Sequence, residues 1–152
     1  MKKMIDGKNG AVSSYLDHLA IEQFQKETKK TFKLKNKYNK IIVSKTNQEI
    51  IDKCDWIFLS VTPTVGNNII KDLRFKPNQI VISFISTITL SQLKKAIKVR
   101  AKIVRAIPLP PISLRKGPVP ICPPNSKVNR FFNQLGTTLE IKNEKSSINF
   151  WS

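Results

Sequence analysis

Residues 54–63 read Cys54–Asp55–Trp56–Ile57–Phe58–Leu59–Ser60–Val61–Thr62–Pro63, in which Trp56–Val61 is a nearly continuous apolar run followed by Thr62 and a proline. A strand with one wet face alternates apolar and polar residues, whereas a strand covered on both faces stays apolar throughout. Gln79–Ile85 repeats the pattern and Ala101–Ile107 follows, so that three such runs recur about every 23 residues. Between them lie helical patterns with readable starts. Thr46 followed by Glu49 forms a capping box, in which hydroxyl and carboxylate each satisfy an orphan backbone donor. Ile50, Ile51 and Cys54 then face a core. Thr89 with Gln92 repeats the device, and Leu90, Leu93 and Ile97 make one apolar stripe. Strand and helix alternate, which predicts a βαβ array with a mostly parallel sheet and right-handed crossovers.

The chain changes character after Ile107. Pro108, Pro110, Pro111, Pro118, Pro120, Pro123 and Pro124 crowd one stretch. Proline lacks the amide that a central strand or helix interior uses. Val119–Cys122 is therefore expected to be at best a short edge strand. Ser126 opens a helix carrying Val128, Phe131, Phe132 and Leu135 at i, i+3, i+4 and i+7, closed by Gly136. Thr137–Ile141 is a final short strand. Beyond Lys142 the chain turns polar, apart from Ile148, Phe150 and Trp151, which are expected to cover a core edge.

On the other side of the deciding stretch, Ala11–Gln25 has the pattern of a helix, with Leu16, Leu19, Ala20 and Phe24 on one face. His18 has no ligand partner nearby. Eight lysines between Lys26 and Lys45 are interleaved with Phe32 and Tyr38. A solvated helix face with inward aromatics is the first reading of that segment, and a nucleic-acid patch the second.

The 152 residues suit one domain, and 40% hydrophobic content suffices for a core. The net charge of +17 suggests a polyanionic partner or a phosphorylated cofactor. Yet the excess is nearly all lysine, accompanied by many Asn and Ile, a mixture that AT-rich coding also produces. Arginine, better suited to bidentate phosphate contacts, occurs only five times. Nucleic acid is thus not the expected partner. No apolar run approaches a membrane span, and Met1–Gly10 lacks the apolar segment of a secretory signal. A cytoplasmic protein is the expectation. Cys54 and Cys122 lie in apolar segments without CxxC spacing and read as buried, reduced thiols; no metal site is expected.

Several segments, taken in order, resemble the pyrroline-5-carboxylate reductase family. Asn47–Gln48–Glu49 and Cys54–Pro63 are similar to the stretch leading into that family's A-V-K-P turn. Lys76–Ser83 with Ile88–Leu93 resembles its V-I-S-x-x-A-G-I-x-x-x-x-L unit, and Lys102–Pro108 its R-V-V-R-x-M-P. Gly117–Pro118, Cys122–Pro123, Phe131–Phe132 and Gly136–Thr138 are similar to the segments that follow. The likeness spans residues 40–151 or so. It implies a Rossmann-like, doubly wound, mostly parallel sheet whose first strands are weak or incomplete here. Residues 1–39 would form a degenerate N-terminal segment and residues 40–152 an NAD(P)-binding core, with the family's helical dimerisation domain absent.

The resemblance also implies a site. Ligands of open parallel sheets lie beyond the carboxyl ends of the strands. Ser60, Val61, Thr62 and Pro63 would line the pyrophosphate and ribose of NADP or NAD, and Asn47 would contact the adenosine half. Phe84, Ile85 and Ser86 would flank the nicotinamide, with Pro108 closing over the ring. Gly7 and Gly10 would be the remnant of the glycine-rich phosphate loop. Other positions depart from the family. Its turn lysine is replaced by Thr62, its glycine by Thr87, and M-P-N-T-P by Ile107–Pro108–Leu109–Pro110–Pro111, which lacks a polar carboxamide contact. The activity implied is hydride transfer from NAD(P)H to a cyclic imine, as in proline biosynthesis, with a homo-oligomer or partner chain completing the site. The alternatives are a degenerate, non-catalytic Rossmann-like protein and a basic nucleic-acid-associated module.

Overall fold

The computed structural model describes residue 33 and residues 35–147. The expected helix at Ala11–Gln25, the glycines Gly7 and Gly10 and the terminal Ile148, Phe150 and Trp151 lie outside them. Five strands form one sheet in the sequential order β1-β2-β3-β4-β5: β1 Trp56–Leu59, β2 Ile80–Ser83, β3 Lys102–Ala106, β4 Pro118–Cys122 and β5 Thr137–Glu140. The first three run parallel, with Trp56 beside Ile80 and Ile80 beside Lys102. β4 turns antiparallel to β3, and β5 runs parallel to β4.

Every residue of β2 is buried, as its apolar run requires. Alternate side chains feed two cores. On one face Ile57, Leu59, Val81 and Ile103 meet Ile50, Ile51, Ile70, Leu93 and Ile97 from the helices α1 (Asn47–Lys53), α2 (Pro63–Ile69) and α3 (Leu90–Ala96) and the caps that end α2 and α3. On the other, Ile80, Ile82, Val104, Val119 and Ile121 pack on Val128, Phe131, Phe132 and Leu135 of α4 (Ser126–Phe132) and the turn after it. Trp56, Phe58 and Phe84 join this second core through the rings of Phe131 and Phe132, at centroid distances of 5.6–6.1 Å for the Trp56–Phe131, Phe58–Phe131, Phe58–Phe84 and Phe84–Phe132 pairs. Helices thus cover both faces of a mostly parallel sheet, the expected Rossmann-like α/β arrangement.

The helix starts follow the sequence reading with one adjustment. At α3 both halves of the Thr89–Gln92 box are made. At α1 the Thr46 hydroxyl accepts the Glu49 amide, but the Glu49 carboxylate takes the amide of Lys45, one residue before the cap, and pairs with Lys53. The box is therefore not closed on Thr46. These contacts lower the Glu49 pKa, the Lys53 side chain contributing most. α4 begins at Ser126, as read from the sequence, and is capped by Asn125, whose side chain accepts from the Lys127 and Val128 amides.

The expectation of an edge strand at Val119–Cys122 is corrected. β4 is internal, between β3 and β5. The reason lies in which side its prolines face. The carbonyls of Pro118 and Pro120 accept the amides of Leu109 and Ile107, while those of Gly117 and Ile121 accept Thr137 and Ile141 on the β5 side. Both prolines therefore face β3, whose pairing with β4 has shrunk to two residue pairs, Arg105 with Cys122 and Ala106 with Ile121. A strand can carry proline where only its carbonyl is used. Gly117, at φ +95°, makes the left-handed turn into β4 that a side chain would strain.

Candidate functional site at the strand ends

Because β1, β2 and β3 are parallel, their carboxyl ends open on one edge of the sheet. Ser60, Val61, Thr62 and Pro63 leave β1 there. Ser60, Thr62 and Pro63 are exposed and Val61 is half-buried. Pro63 begins α2, a position where its missing amide costs nothing. Thr62 makes no side-chain cap bond, unlike the capping residues of α1, α3 and α4.

Asn47, the first residue of α1, reaches the same place. Asn47, Ser60 and Val61 line one cavity of about 40 Å³ with Gly66 of α2 and Ile70 at its C-terminal cap. That volume holds a water or two, not an adenine. A dinucleotide fits these residues only by lying across the open edge, where Ser60, Thr62 and Pro63 are uncovered.

The other predicted residues separate into different roles. Ile85 is 2% exposed and belongs to the helical core. It packs where α2 comes closest: a Cβ on Gly66 would stand 2.8 Å from the Ile85 Cδ1. Only its backbone is left to face the edge. Phe84 is half-buried between Phe58 and Phe132, with its amide donating to the Leu59 carbonyl. Ser86 is exposed, and Pro108 is half-buried beyond β3. The structure thus brings Asn47, Ser60 and Val61 together and places Thr62, Pro63, Ser86 and Pro108 on the same edge. A larger groove of about 390 Å³ lies between α2 and α3, rimmed by Lys71, Lys95 and Lys98, and none of the predicted residues lines it.

Two buried polar residues escaped the sequence reading, Gln79 at the amino ends of the strands and Arg105 at the carboxyl ends. Gln79 is 1% exposed; its side-chain amide donates to the carbonyls of Ile51 and Cys54, and its oxygen accepts the Lys76 amide. It ties the end of α1 to the start of β2. Arg105 is 2% exposed on β3, paired with Glu144 and donating to the Ser86 carbonyl. A lone Gln or Arg inside an apolar run is the one signal that sequence offers for such a role.

Both cysteines are buried. Burial raises the Cys122 thiol pKa, with the Glu144 carboxylate adding to it and Arg105 opposing. Such a thiol is a poor nucleophile. Among the described residues no cluster of His, Cys, Asp or Glu is placed to hold a metal ion. No described helix is long and apolar enough to cross a membrane.

Among solved structures, the chain is similar to pyrroline-5-carboxylate reductase from Streptococcus pyogenes (19% identity, TM-score 0.64, covering 78% of this chain and 47% of that one). It is similar to pyrroline carboxylate reductase from Plasmodium falciparum with NADP bound (24% identity, TM-score 0.63, 72% and 45%). It also resembles a pyrroline-5-carboxylate reductase from Coxiella burnetii (20% identity, TM-score 0.65, 80% and 48%). The chain spans about half the length of these proteins, and at such identities the likeness is one of fold. No curated protein matches it. In sequence, residues 11–87 match the family described as NADP oxidoreductase, coenzyme F420-dependent. The match covers half of the chain and includes α1, β1, α2, β2 and the edge residues from Asn47 to Ser86, so the chain belongs to this family of NADP-dependent oxidoreductases.

Proposed function

We propose that this domain binds NADP(H) along the carboxyl edge of β1–β3 and serves hydride transfer to a small cyclic imine. The observation that carries the reading is the convergence of Asn47, Ser60 and Val61 at the end of β1, inside the segment that matches the oxidoreductase family. Asn47 and Ser60–Pro63 would hold the adenosine and pyrophosphate half. Ser86 and Pro108 would border the nicotinamide, and Gly7 and Gly10 would approach the phosphates from the preceding loop. When bound, the cofactor supplies the hydride; the protein positions it and excludes water. The imine as acceptor rests on the reductases that share the fold. Coenzyme F420, named in the family's description, is the competing hydride partner. A homo-oligomer or a partner chain would complete the acceptor pocket.

The test is a thermal-shift titration of the full chain. A ligand that binds only the folded state stabilises it by about 2.7 kcal/mol at a hundred times its dissociation constant. NADPH is expected to raise the melting temperature, and Asn47→Ala to weaken that rise. No shift with millimolar NADPH or NADH would sink the proposal. DNA binding that falls steeply with salt would instead favour the basic-module reading.

A further inference from the structure

The segment after β5 returns to the proposed cofactor edge. Residues Glu144–Ser147 form a 3-10 turn, and Glu144 Oε1 accepts both the Leu90 amide, at 2.8 Å, and Nη1 of Arg105. The second arm of the same guanidinium, Nη2, donates to the Ser86 carbonyl. Arg105 is almost wholly buried on β3, beside Ser83 of β2 and Cys122 of β4. One ion pair therefore grips the loop between β2 and α3 at two points. Ser86 is held by the cation, and Leu90, where α3 begins, is held by the anion.

We propose that Arg105 and Glu144 are positioning residues that set the Ser86–Thr89 loop as the nicotinamide-side wall of the site, an inference that rests on the cofactor reading above. Three features argue for a latch rather than a generic staple. The guanidinium is planar and forked, so it fixes the direction of the Ser86 carbonyl as well as its distance. The pair lies at the carboxyl ends of β2 and β3, where the cofactor would pass. Its two halves are 39 residues apart, so the Glu144 segment must dock before the loop is set. Asn47 of α1 and Ser60 line the cavity at the end of β1 instead.

The experiment compares wild type with Glu144→Gln, which keeps an acceptor for Leu90 but removes the charge, and with Arg105→Lys, which keeps the charge but loses the fork. Amide exchange at Ile85–Leu90 is expected to accelerate about tenfold or more in both, with the β1 and β2 amides unchanged. NADPH affinity is expected to fall on the order of tenfold to a hundredfold. Affinity for adenosine 2′,5′-bisphosphate, which reaches only the β1 end, should stay within about twofold. Unchanged exchange in the loop would overturn the proposal. So would equal loss of both ligands with exchange rising across the sheet, the mark of a purely structural pair. If wild type binds neither ligand, the cofactor reading fails, and exchange confined to the loop still upholds the latch.

Discussion

The two halves of the described sheet are built differently. From Trp56 to Ala106 the chain repeats one unit, an apolar strand followed by a capped or proline-started helix, and the strands are parallel. From Pro118 to Glu140 the direction reverses once, prolines line one side of β4, and a single helix covers the opposite face. The first half presents strand ends to a ligand. The second closes the sheet and sends Glu144 back to hold the first. The proposed site edge thus depends on a segment from beyond β5.

If the second half is a true core and not an appendage, its largest ring should matter most. Phe132, 1% exposed, touches Phe84 and Phe131. Phe132→Ala is expected to cost about 3–5 kcal/mol by urea denaturation, in a single transition. A loss under about 1 kcal/mol, or two separate transitions, would split the halves apart.

Gln79 probes the first half. Gln79→Leu fills the space but orphans the carbonyls of Ile51 and Cys54, and is expected to cost about 2–3 kcal/mol. A neutral result would mean that α1 docks on β2 through apolar contact alone.

Two glycines sharpen the contrast further. At Gly136 a Cβ would stand 2.6 Å from the Gly117 carbonyl oxygen, which is fixed by the Thr137 amide. At Gly66 it would meet the tip of Ile85, which can turn. Gly136→Ala should therefore cost about 1–3 kcal/mol, by the overpacking scale. Gly66→Ala should cost less, since alanine regains about 1 kcal/mol of helix propensity. The reverse order would show that the β4–β5 join is the softer one.

The smallest effect is one of pH. The Cys122 pKa is raised in the fold, so the folded chain keeps its proton where the unfolded chain loses it. Stability should decline as pH rises past the ordinary thiol value of 9.0, and Cys122→Ala should flatten that decline. An identical alkaline slope in the variant would remove Cys122 as its source.

The first half was legible because burial on both faces writes itself as continuous apolar runs, and because Thr46 and Thr89 mark helix starts; α2, whose Thr62 makes no cap bond, was not read as a helix. β4 was misjudged because sequence shows that a proline lacks an amide, not which neighbour that amide would have faced. The Asn47, Ser60 and Val61 cluster was within reach through family likeness. Gln79, Arg105 and Glu144 were not, since apart from Lys76 beside Gln79 the partners described above lie 19 to 54 residues away and only the fold makes them neighbours. The same limit applies to Ile85, whose place in the loop suggested a ligand contact while its side chain belongs to the core.

The claim that the first half holds the cofactor is tested most directly by amide chemical shifts of the labelled full chain titrated with NADPH. The account predicts saturable shifts at Asn47, Ser60–Gly66 and Phe84–Ile88, and none along Ser126–Glu140. Silence throughout, or shifts gathered on α4 and β5 instead, would contradict it.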